Sequence, residues 1–164
     1  MRLRALTLVM AAGLLGCGCG DSGGGGTPPI DAATSSDASA ATCDVGTGYD
    51  SFVALSDGDP VSIIAGPQGG FHIFTSVRVR GFDAPTVHAR VSIHTLGGSE
   101  YLGPGAEVGT ASFTAGADGW DQAIGLINLL DDPATARGHE VVLRLEARDD
   151  RGASSVSEHA VLAQ

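Results

Sequence analysis

The side chains with reactive or ligating chemistry in this 164-residue chain are three cysteines (Cys17, Cys19, Cys43), five histidines (His72, His88, His94, His139, His159) and three aspartate pairs. Imidazole is a transition-metal ligand, and three histidines fall in two segments of strict period-two alternation. His72 lies in 71–80 and His88 and His94 lie in 87–95. If those segments pair as a hairpin around 81–85, His72 faces His94 and Arg78 faces His88, with Cβ atoms about 5 Å apart. Two imidazoles hold an ion weakly, no cysteine or carboxylate in either segment completes a ligand set, and a crossing of the two strands between sheets would part the pair. The expectation is a solvated polar face with no metal or other cofactor. A metal-binding sensor or enzyme on the His72/His88/His94 face is the alternative. The pairs Asp57/Asp59, Asp131/Asp132 and Asp149/Asp150 carry oxygen ligands suited to calcium, but aspartate next to glycine or proline also serves tight turns. A turn role is expected. No serine sits in a nucleophile elbow, and Cys19 and Cys43 stand away from any fixed base, so no hydrolase and no catalytic residue is read here. The run Gly66-Pro67-Gln68-Gly69-Gly70 lacks the Lys-Ser/Thr of a phosphate loop and reads as a turn.

The chemistry of Cys17 is set by what precedes it. Arg2 and Arg4 lead into an apolar run over 5–15, interrupted only by Thr7. Eleven helical residues rise about 16 Å, too short for a hydrocarbon core of about 30 Å, so the run reads as an export signal and not as a spanning helix. Its end, Leu14-Leu15-Gly16-Cys17, resembles the lipobox of bacterial lipoproteins: aliphatic at minus three, small at minus one, then cysteine. Cys19 has Gly16 at that minus-three position, without the aliphatic side chain. The resemblance implies cleavage after residue 16, thioether lipidation of Cys17 and acylation of the new terminus. The residue after Cys17 is Gly18; in the sorting rule of enteric lipoproteins, the lack of aspartate there implies the outer membrane. Two acyl chains contribute on the order of 20 kcal/mol of anchoring.

Beyond residue 16, seven arginines stand against nineteen acids, a net charge of −12 with histidines neutral, and lysine is absent. That balance excludes nucleic acid as a partner, since phosphates demand a basic footprint, and it also argues against the chain lying flat on an anionic membrane. With Cys17 lipidated, Cys19 and Cys43 remain in a compartment that permits disulfides. A Cys19–Cys43 bridge and two free thiols both stay open.

Residues 17–45 contain Gly23-Gly24-Gly25-Gly26, Thr27-Pro28-Pro29 and an Ala/Ser/Asp/Thr-rich stretch. Such composition buries too little apolar surface to fold, and it is expected to be a disordered tether. From residue 46 the pattern becomes short alternating runs separated by Gly, Pro and Asp. In 71–80, Phe71, Ile73, Thr75, Val77 and Val79 share a face. In 87–95, Val87, Ala89, Val91 and Ile93 do so. In 141–148, Val141, Leu143, Leu145 and Ala147 do so, and 153–162 returns after Asp149-Asp150-Arg151-Gly152. The dense run 124–130 suits either a buried strand or a short helix. About seven or eight strands without a long amphipathic helix indicate an antiparallel β-sandwich over 46–164.

The stretch from Gly138 to Gly152, GHEVVLRLEARDDRG, resembles the closing hairpin of bacterial immunoglobulin-like domains, including the PKD and cadherin-like groups. That resemblance implies an immunoglobulin-like all-β sandwich and is silent on activity. The combined expectation is an outer-membrane lipoprotein: signal peptide 1–16, lipid attachment at Cys17, a tether to residue 45, and a β-sandwich acting as a non-enzymatic binding or structural module. Its partner, protein or glycan, is not legible in the residues.

Overall fold

The computed structural model describes residues 40–164, Ser99 excepted. The expected signal peptide, Cys17, Cys19 and the tether up to residue 39 lie outside the described residues. The strands are β1 (Thr42–Thr47), β2 (Val53–Ala54), β3 (Pro60–Val61), β4 (Ile64–Ala65), β5 (Phe71–Arg80), β6 (His88–Thr95), β7 (Ala106–Val108), β8 (Thr114–Ala115), β9 (Asp121–Leu130), β10 (Glu140–Arg148) and β11 (Ser154–Ala163). One four-residue helix, α1 (Pro133–Ala136), joins β9 to β10.

The strands form two sheets. The first runs β2-β1-β5-β9-β8, with β4 also on β5, and the second runs β3-β11-β10-β6-β7. Every pairing is antiparallel except β3 with β11. Eight strands carry the frame, in the A-B-E-D and G-F-C-C′ order of an immunoglobulin-like sandwich. β2, β3 and β4, two residues each like the frame strand β8, are additions too short to leave an alternation in the sequence.

The inward rows are those the alternation names. Ile73, Val77 and Val79 of β5 meet Val91 and Ile93 of β6 and Val141, Leu143 and Leu145 of β10 in one buried cluster. The β-branched residues on both central strands suit a pleated, enclosed surface. The closing hairpin pairs Glu140 with Leu162 through to Arg148 with Ser154, as its sequence suggests.

Three features resolve or correct the sequence reading. First, β5 and β6 are not a hairpin. β5 lies between β1 and β9, while β6 lies between β10 and β7 in the other sheet. Crossing lets the two valine/isoleucine rows face each other through the core, and the connection is pinned where the Asp83 N–H donates to Asp149 Oδ2 at 2.8 Å. Second, the sandwich begins at Thr42 and not at residue 46. Cys43 and Val45 pair with the inward Val79 and Val77, and Val45 is fully buried, but a strand reading TCDVGT carries too few apolar residues to stand out. Third, 124–130 is strand, but its alternation shifts phase at a bulge. The register with β5 slips between Thr75 and Val77, and Gly125 takes φ +70° there. The Gly125 N–H donates to Ser76 Oγ, which donates to the Gly48 carbonyl. A Cβ on Gly125 would stand 2.8 Å from the Tyr49 carbonyl oxygen, so both the backbone conformation and the close approach require glycine.

Candidate binding face

The histidines do not converge. His72 projects from the outer face of the first sheet, whereas His88 and His94 project from the outer face of the second, six residues apart along β6. The hairpin in which His72 would face His94 does not form: their strands cross between sheets, the arrangement that parts the pair. His94 Nε2 is hydrogen-bonded to Ser92 Oγ at 2.8 Å, and its ring lies 4.4 Å from that of Tyr101. His159 presents Nε2 to Asp44 Oδ1 at 3.3 Å and Nδ1 to Asp57 Oδ1 at 3.8 Å, so its two nitrogens serve different carboxylates. Among the described residues, no group of three His, Cys, Asp or Glu side chains is placed to hold one ion.

Four of the six paired aspartates, Asp57, Asp59, Asp132 and Asp149, hold backbone N–H groups with their carboxylates. Asp57 accepts from the Ala160 N–H, Asp59 from Ser56 and Asp132 from Ala134 at the start of α1. Asp149 is the most engaged: its carboxylate accepts from the backbone N–H groups of Asp83, Arg151 and Ala153. Those bonds, Asp83 foremost, hold it below the ordinary carboxylate range. Cys43 points inward from β1, and burial raises its thiol pKa, the opposite of what a nucleophilic cysteine needs.

The outer face of the second sheet is a lattice of ion pairs. Arg90 meets Glu107 at 3.2 Å, and Arg144 meets both Glu146 and Glu158. Opposite charges set across neighbouring strands satisfy one another, with Tyr101, Val156 and Leu162 exposed singly among them.

The outer face of the first sheet has the reverse character. On β9, Ile127 and Leu129 are 53% and 47% exposed, while Asn128 between them is fully buried. Ile127 pairs with Phe74, and Leu129 with His72, which in turn pairs with Ile64 of β4. Tyr49, 67% exposed, meets Phe74 edge to face with ring centroids 5.1 Å apart, and His72 meets Phe74 at 4.7 Å. His72 is itself buried on this face, and its Nε2 has no hydrogen-bond partner.

Toward the other end of β5 the aromatic row continues with cations interleaved. The Arg78 guanidinium lies 4.3 Å from the Phe52 centroid and 4.5 Å from that of Trp120, and Arg80 stacks on Trp120 at 4.6 Å. Asp44 accepts from Arg78 at 2.7 Å and neutralises it. Four of the eight Phe, Tyr and Trp residues thus lie along the outside of one sheet. The sequence carried a trace of this in the lone Asn128 inside an apolar run, but the bulge that turns its neighbours outward leaves no local signal.

These features define an immunoglobulin-like sandwich with one charge-paired outer face and one aromatic, apolar outer face. No family model matches the chain, and no curated protein matches it. Among solved structures it is similar to the CooA pilin subunit from enterotoxigenic Escherichia coli, at 12% identity and TM-score 0.34, over 72% of this chain and 98% of that one. It is also similar to the N-terminal domain of PorA, at 11% identity and TM-score 0.30, over 73% of this chain and 96% of that one. Likeness this distant carries no argument about activity, partner or location.

Proposed function

We propose that the protein is a lipid-anchored lipoprotein of the cell envelope whose sandwich is a non-enzymatic binding module, with the outer face of the first sheet as its contact surface. The anchor rests on the Leu14-Leu15-Gly16-Cys17 sequence. The binding role rests on the inverted polarity of β9, where Ile127 and Leu129 face out and Asn128 faces in. Exposed contiguous apolar surface marks a site that is covered in the working state, and Trp, Tyr and Arg are the residue types that concentrate binding energy.

Two measurements test the two halves. Mass spectrometry of the envelope fraction is expected to find a mature terminus at Cys17 bearing acyl chains; an unmodified terminus overturns the anchor. Photo-reactive side chains placed at Ile127 and at Glu107 are expected to cross-link envelope components from position 127 alone. Adducts from position 107 with none from 127 would reverse the assignment of the face.

A further inference from the structure

We draw no further inference here: the strongest candidate, the apolar outer face of the first sheet around Tyr49, Ile127 and Leu129, is the surface already assigned as the binding face, and nothing in the structure shows what covers it.

Discussion

Asn128 and Thr75 form a polar pair inside an otherwise aliphatic core. Asn128 Nδ2 donates to Thr75 Oγ1 at 2.6 Å, while Asn128 Oδ1 is buried without a partner. An unpaired buried acceptor costs about 1–3 kcal/mol, whereas removing both members of a pair can be neutral or stabilising. Thr75→Val alone is therefore expected to destabilise by about 1–3 kcal/mol, and Thr75→Val with Asn128→Leu to recover that loss or exceed it, both read by urea unfolding. Asp149 gives a pH signature. Its folded pKa is depressed, so its contribution is complete above the unfolded carboxylate value of about 4 and is lost as pH falls through the folded value. Asp149→Asn is expected to be less stable than the parent at pH 6, with the gap narrowing only below about pH 4. A gap unchanged down to acid unfolding would contradict that role.

At the scale of elements, β9 shows why part of the fold was legible and part was not. Alternation in β5, β6 and β10 announced the inward rows, because a strand with one enclosed face must repeat every second residue. Alternation names a face and not a neighbour, so the sequence left open whether β5 and β6 pair or cross, and they cross into opposite sheets. In β9 the repeat is broken by one glycine, and a phase shift inside a short apolar run is indistinguishable from helix or continuous strand. The binding face was missed for that reason. Gly125→Ala, strained at φ +70° and crowded by the Tyr49 carbonyl, is expected to cost about 1–3 kcal/mol. If unfolding shows no loss, the bulge is not the hinge of this pattern. On β10, by contrast, Leu143 is fully buried, and Leu143→Ala is expected to cost about 2–5 kcal/mol.

The sandwich sets a lattice of ion pairs on one outer face and its aromatic row on the other, and stability should record the division. Ile127→Ser and Leu129→Ser together are expected to change unfolding free energy by about 0.5 kcal/mol per site or less, because those side chains support no core. A loss comparable to that of Leu143→Ala would make the face structural and remove its claim to a partner. At the flank of the sandwich, the N–H groups of Cys43 and Val45 in β1 donate to the hydroxyls of Ser155 and Ser157. Donors that a passing strand would need for edge-to-edge stitching are thus occupied from within. Copies crowded together can jostle at this margin without zipping into fibres.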